Sequence, residues 1–282
     1  MKKERLGSLQ IIISQFLIGF VYILVRLGEN FGIYNLAFFR VFLSAGFILL
    51  FAFLYKKYEI VAFKHEKGKM FLFGFLHGVT ILLSFLSIHL LSISSAVLLS
   101  STISIWTIVF SYFILKEEIN KKTIFALAVS FIGIILIVSP NRFFINESLI
   151  GSLAGIFVGV LGGFLYTLSK TFKHYDKVSL TFYQNLVAIP FLIPLLFVQP
   201  INFNLSNVLI ALSMGFVAAF SFILIFKGIG LVKGQKVGIL SLLNVVFTVL
   251  LAFLFFGEIP LTREIIGGIL IIISFYLAIR SQ

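Results

Sequence analysis

The sequence contains no cysteine, which removes disulfides, thiolate metal sites and cysteine nucleophiles. Acidic residues are scarce: nine glutamates and one aspartate, Asp176, among 282 residues. A membrane-embedded pair of aspartates is therefore impossible. No HExxH or GxSxG pattern occurs, and no GxxxxGK[ST] loop that would cradle nucleotide phosphates. The chain reads as a non-enzyme with no cofactor and no metal. Charged residues make up only 11% against 60% hydrophobic ones, and the mean hydropathy is +1.16. A soluble domain carries about 25% charged residues. Soluble enzyme, nucleic-acid binder and disordered regulator are excluded together, and lipid is the main solvent.

What the chain does have is long apolar runs, and a membrane-crossing helix needs about 20 such residues. Ten runs separated by charged and polar clusters predict helices at 6–27, 34–55, 68–89, 93–115, 123–139, 148–170, 178–198, 205–227, 237–256 and 263–279. The runs are continuous rather than alternating, so a barrel does not fit. The basic cluster Lys2–Arg5 resembles the start of a signal peptide. The run behind it is too long and lacks a small-residue cleavage site, so it reads as the first membrane helix. The net charge of +12 is unevenly placed. With the N-terminus in the cytoplasm and strict alternation, eighteen of the twenty-two basic residues fall on the cytoplasmic side. Arg26, Arg142 and Arg263 lie outside, and Arg40 lies within a span. This asymmetry places both termini in the cytoplasm. Contact with membrane lipids follows from it, and contact with nucleic acid does not.

The second half repeats the first. LGSLQIIISQFLIGFVYILVR from Leu6 lies over IGSLAGIFVGVLGGFLYTLSK from Ile150, at an offset of 144. Gly7 meets Gly151, Tyr22 meets Tyr166, Arg26 meets Lys170 and Arg40 meets Gln184. Farther on, LKEEI lies over FFGEI at an offset of 140, pairing Glu118 with Glu258. Residues 1–140 and 141–282 are thus expected to be two five-helix repeats. Five spans per copy is an odd number, so the second copy enters the membrane inverted. The expected fold is an all-α integral membrane protein of ten transmembrane helices in two inverted five-helix repeats. That architecture suits a secondary transporter with its site at the repeat interface.

Three further features stand out: Arg40 in FFRVFLSAGFILL, the glutamates closing SYFILKEE and AFLFFGEI, and Ser87 before SISSA with Gly228 in the second half. In these the chain resembles the drug/metabolite transporter superfamily, specifically its EamA-type members with two five-helix repeats. Ile105 and Val245 stand where the family often has a helix-bending proline. The resemblance implies export or exchange of small polar metabolites, often amino acids, across a bacterial inner membrane. Rival readings are efflux of cationic drugs, lipid flipping, and a non-transporting sensor or assembly subunit. Short loops and the lack of a soluble domain disfavour the last. Protons are a candidate coupling ion, and monomer and homodimer both fit.

Several side chains are candidates for lining a path. Arg40 lies about 9 Å into its helix at 1.5 Å per residue. It can grip a substrate carboxylate, snorkel past Tyr34 and Asn35, or clamp carbonyls. Gln184 can bind substrate or bridge helices. Gln15, Gly19 and Tyr22 share one face of the first helix; Gly155, Gly159, Gly162 and Tyr166 share the corresponding face of the sixth. The glycines suit close helix approach. The tyrosines are candidate ligand contacts or interfacial anchors. Ser104 with Ser100, Thr107 and Ser111, and Asn244 with Ser241 and Thr248, form two polar stripes for packing or for lining a cavity. Trp106 is either a cavity ring or lipid-facing. His77, about 13 Å into its helix, can relay protons or serve as a hydrogen-bonded strut. Glu118 and Glu258 read as latches or gates at helix ends.

Overall fold

A computed structural model of the chain describes residues 2–55, 57, 66–91, 93–138, 149–257 and 262–280. The described residues form helices and short turns, with no strand among them. In chain order the α-helices are α1 (Lys2–Leu27), α2 (Ile33–Leu54), α3 (Lys67–Leu90), α4 (Ile93–Ser101), α5 (Ile103–Leu115), α6 (Lys121–Val138), α7 (Leu149–Thr171), α8 (Lys177–Leu192), α9 (Leu205–Ile229), α10 (Gly234–Ser241), α11 (Leu243–Phe256) and α12 (Thr262–Arg280). Among the described residues, eight stretches are long and apolar enough to cross a membrane: α1, α2, α3, Ser95–Leu115, α7, Lys177–Phe197, α9 and Gly234–Phe256. They coincide with eight of the expected runs. The other two, 123–139 and 263–279, fall on α6 and α12, which pack along each other. Large apolar side chains face outward; Phe113 is 71% exposed and Phe197 86%. Water would penalise such a surface and lipid does not. The chain is a multi-pass membrane protein.

Local chemistry sets several boundaries. Gly32, with φ +86°, turns the chain from a 3-10 stretch (Glu29–Phe31) into α2, a conformation that favours glycine. The Asp176 carboxylate accepts the Val178 N–H at 3.0 Å and caps α8. The expected helix at 178–198 is α-helical only to Leu192 and continues as a 3-10 turn, Ile193–Phe197. Pro190 and Pro194 supply no N–H to the ladder there.

The expected helices at 93–115 and 237–256 are each split. The breaks fall at Thr102 and Leu242, 140 residues apart and therefore equivalent in the repeat. Hydrogen bonds tighten to three-residue spacing: Thr102 N–H to Leu99 O, 3.3 Å, and Leu242 N–H to Ile239 O, 3.2 Å. Ile105 and Val245 leave both breaks without a proline. Hydroxyls bond back to the carbonyls instead: Ser100 to Val97 O at 3.0 Å, Thr102 to Leu99 O at 2.8 Å, and Ser241 to Val237 O at 2.8 Å. Such side-chain bonds compete with the helix ladder and bend it.

Glycines govern the packing of α7 over α4 and α5. A Cβ at Gly155 would lie 2.8 Å from Leu99 Cβ, and one at Gly163 would lie 2.6 Å from Trp106 Cβ. On the other side, Gly7 of α1 abuts Leu231 and Gly19 abuts Thr248. Helix α1 packs on α9, α10 and α11, while α7 packs on α3, α4 and α5. Helix α2 lies against α8 and α9, and α3 against α8. Apolar side chains gather in two main clusters. One joins Val25, Phe31, Leu36, Phe85 and Leu192; the other joins Ile11, Phe73, Phe172, Tyr183 and Phe226.

Gly163→Ala should lower stability by about 1–3 kcal/mol, because the added methyl meets backbone that cannot retreat. Gly46, with nothing within 4 Å of its would-be Cβ, should tolerate alanine with a gain of about 0.5–1 kcal/mol. Thermal unfolding of the two variants in detergent checks the contrast; equal melting would refute the close approach of α7 and α5.

Candidate functional site

Between the two clusters lies a cavity of about 120 Å³, adjoined by one of about 80 Å³. His77, Thr80, Ile103, Val158, Tyr166 and Phe222 line both, so the two form one chamber. Gln15, Tyr22, Arg40, Ser84, Ser100 and Asn244 are among the further polar residues on the wall of the larger part. Gln184 reaches the smaller part. The chamber wall contains no aspartate or glutamate.

Arg40 carries the one full positive charge on that wall. Its residue is 9% exposed, and its guanidinium carbon stands 5.8 Å from the Phe85 ring and 5.5 Å from the Phe222 ring. These are cation–π distances. It makes no ion pair among the described residues, and its Nε has no hydrogen-bond partner. Snorkelling past Tyr34 and Asn35 is therefore not what this side chain does. Asn35 is occupied elsewhere, donating to Phe31 O at 2.8 Å and to Pro200 O at 3.1 Å.

Around Arg40 the polar groups are partly tied down. The Tyr22 hydroxyl and Ser100 Oγ share a hydrogen bond of 3.1 Å. The Asn244 amide donates to Gln15 O at 3.0 Å, while Gln15 Nε2 is buried without a partner. Gln184 Nε2 lies 3.0 Å from His77 Nε2. This hydrogen bond ties the His77 ring on α3 to Gln184 on α8. The edge of Phe222 completes its packing at 5.0 Å between ring centroids. Gln15, Tyr22, Arg40, His77, Tyr166, Gln184 and Asn244, expected separately from the sequence, thus converge on one chamber.

Ser104 and Trp106 do not join it. Ser104 is fully buried with its Oγ unpartnered, and its carbonyl backs onto Gly238. Trp106 packs on Gly163 and stacks on Phe110 at 5.8 Å. Ser104 is one helical step past the wall residue Ile103, which turns it away, and Trp106, three residues past it, is held against Gly163 instead.

The expected latch at Glu118 is displaced by one residue. The Glu118 side chain is exposed, and only its carbonyl is used, accepting from the Gln235 amide. Glu117 is the half-buried member. Its Oε1 pairs with Lys170 Nζ at 2.6 Å and its Oε2 accepts the Gly234 N–H at 2.7 Å, capping the start of α10. Lys170 also donates to Val232 O at 2.8 Å. Nearby, Lys236 pairs with Glu4 at 2.7 Å. Both ion pairs, and the Gly234–Glu117 hydrogen bond, cross from the first half of the chain to the second. Glu258 lies outside the described residues. Behind the latch, Phe73 packs against Phe172 at 5.3 Å and against Phe226 at 5.8 Å, all three fully or almost fully buried. The sequence held no signal for this plug or for Phe85 and Phe222, since 36 phenylalanines occur. Nor could a Glu-Glu pair indicate which member faces inward.

The sequence pattern of the EamA-like transporter family matches residues 5–139 and again 149–280. The chain belongs to the EamA-like transporter family. An uncharacterized transporter of Archaeoglobus fulgidus is 28% identical, covering 93% of this chain and 93% of its own. The S-adenosylmethionine uptake transporter of Rickettsia prowazekii is 25% identical over 91% of this chain and 86% of its own. Solute carrier family 35 member G1 of the mouse is 22% identical over 95% and 77%. A protein of known crystal structure superposes with a TM-score of 0.85 at 15% identity, covering 98% of this chain and 99% of the other; this likeness concerns the fold. This EamA-like chain is therefore a membrane transporter of small molecules and not an enzyme.

Glu117→Gln should destabilise this transporter by about 1–2 kcal/mol, because Lys170 loses a charged hydrogen-bond partner. Glu118→Gln should leave the melting temperature unchanged. A larger loss in the Glu118 variant would contradict the assignment of the latch.

Proposed function

We propose that the chain is a secondary or facilitative carrier, an exporter or exchanger of small polar metabolites such as amino acids. It works by alternating access between two inverted five-helix repeats, residues 1–140 and 141–282, with ten spans in all. It resides in the inner membrane with both termini in the cytoplasm. The observation that carries this reading is an enclosed chamber of apolar side chains with one arginine and several neutral polar groups on its wall, lined from both halves and backed at one end by an aromatic plug and an ionic latch.

The inversion is supported by the exchange of packing partners. Helix α1 lies on α9 to α11, and its counterpart α7 lies on α3 to α5. Gly7 meets Leu231 where α9 has ended, and its counterpart Gly151 meets Leu91 where α3 has ended. Two copies related by a pseudo-two-fold axis in the membrane plane would make these reciprocal contacts. Such copies can open to either side at similar energy. Charge placement supports the orientation, since the latch end carries the Lys-rich turns. The Rickettsia relative is named for uptake, whereas this reading favours export or exchange; alternating access is reversible, and gradients set the direction. The His77–Gln184 hydrogen bond, which joins α3 to α8, favours the strut reading of His77 over the proton relay. His77→Ala is expected to retain any pH-driven flux.

Two experiments test the reading. Purified protein in liposomes, loaded with unlabelled amino acids and nucleosides, should exchange at least one labelled member of that panel. No flux for any member would count against the carrier of small metabolites. Because the chain has no cysteine, single-cysteine labelling needs no prior engineering. Lys57→Cys and Lys233→Cys should react with an impermeant maleimide only after the cells are opened, whereas Glu29→Cys and Asn202→Cys should react from outside. Labelling of Lys57 and Lys233 from opposite sides would end the inverted arrangement.

A further inference from the structure

Resting on the carrier reading above, we propose that the chamber recognises its ligand through a single carboxylate held by the Arg40 guanidinium, so that monocarboxylates and zwitterions are accepted and bare cations are rejected. The argument starts from cost. A buried arginine is expensive in a membrane, by at least about 2.5–3.5 kcal/mol at mid-bilayer, and is ordinarily paired. Arg40 is over nine-tenths buried, has no ion pair among the described residues and keeps an unpartnered Nε. Phe85 and Phe222 hold the guanidinium by its π contacts, which use no N–H. The donors therefore remain for a ligand, and a guanidinium edge matches a carboxylate in a two-pronged geometry.

The rest of the chamber narrows the class. One positive charge balances one negative charge; a dianionic phosphate monoester would bring an uncompensated charge into an apolar setting. An amine without a carboxylate would face Arg40 across a low dielectric with no acidic residue nearby to offset the repulsion. The ammonium of a zwitterion is a different case. Its carboxylate neutralises Arg40, and the hydroxyls of Tyr22, Tyr166 and Ser100 and the amide of Asn244 offer neutral oxygen acceptors on the same wall. The chamber volume, about 120 Å³ with about 80 Å³ beside it, suits a side chain of amino-acid size.

The test compares matched probes on one carbon skeleton: L-leucine, its methyl ester, isopentylamine, 4-methylpentanoate and isopentyl phosphate. Binding is read by heat stabilisation of the detergent-purified protein, and competition by inhibition of whatever counterflow the liposomes support. The two acids should stabilise and compete, and the ester, amine and phosphate should be weaker by about 10- to 100-fold, the span expected when a charged hydrogen bond is lost. Arg40→Gln should erase the preference for acids over the ester; Arg40→Lys should keep it with reduced affinity. Circular dichroism and gel filtration establish that each variant is folded, and the wild-type comparison stands if either is not. Equal stabilisation by acid and ester, stabilisation by the amine or phosphate alone, or none by either acid would overturn the proposal. Flux of uncharged or cationic solutes with no acid preference would overturn it while leaving the carrier reading intact. Binding of the acids without any flux would do the reverse.

Discussion

Hydrocarbon supplies no hydrogen bonds, and this single constraint orders the whole molecule. Every backbone amide inside the bilayer must find its partner within the protein, so the apolar runs become helices. Departures from a regular ladder are tolerated only where protein covers them. The breaks at Thr102 and Leu242 obey this condition. Hydroxyl groups of Ser100, Thr102 and Ser241 take up loosened carbonyls, and the glycine face of α7 is pressed against the break in the first half. The same constraint accounts for the chamber. It sits beside both breaks, where backbone irregularity and polar side chains can share one enclosed space.

That condition also separates what the sequence discloses from what it does not. Helix identity follows from run length and composition, because lipid leaves no competing solution for a continuous apolar stretch. The repeat is visible as aligned Gly7 and Gly151, Tyr22 and Tyr166. Polar residues deep in an apolar helix are costly enough to announce themselves, so Arg40, His77, Gln15, Gln184 and Asn244 stand out and all reach the chamber. Direction around a helix is less legible. Ser104 follows the wall residue Ile103 by one step, which rotates its side chain by about 100° at 3.6 residues per turn, and Trp106, three residues on, packs against Gly163 instead. Glu117 and Glu118 lie past the end of α5, in a turn that starts at the left-handed Lys116, where helical periodicity says nothing about which one faces inward. Phe85 and Phe222 escape notice because apolar residues carry no penalty in lipid and hence no signal.

The two halves are alike in pattern but not in the state each occupies. Arg26 and Lys170 are counterparts in the repeat. Lys170 is mostly buried and held at 2.6 Å by Glu117, with Glu117 also capping α10. Arg26 is 43% exposed and stands 3.8 Å from its own neighbour, Glu29. One end of the molecule is therefore bolted across the halves while the corresponding cation at the other end is engaged only locally. A hydrogen-bonded charge pair of this kind contributes about 1.5–3 kcal/mol, which is comparable to the free-energy gaps that separate conformers of a switching protein. Under the carrier reading, that asymmetry is the structural mark of one access state. The opposite state would require the Glu117–Lys170 link to open and the Phe73, Phe172 and Phe226 rings behind it to part. The neutral hydrogen bonds at the chamber, from Asn244 to Gln15 and from Gln184 to His77, cost less to exchange. On the proposed mechanism, the strength of the ionic latch would set how readily the chamber changes sides, and a ligand that neutralises Arg40 would remove a buried charge without touching that latch. Recognition and gating would then rest on different cations, Arg40 and Lys170, placed at different depths of the same bundle.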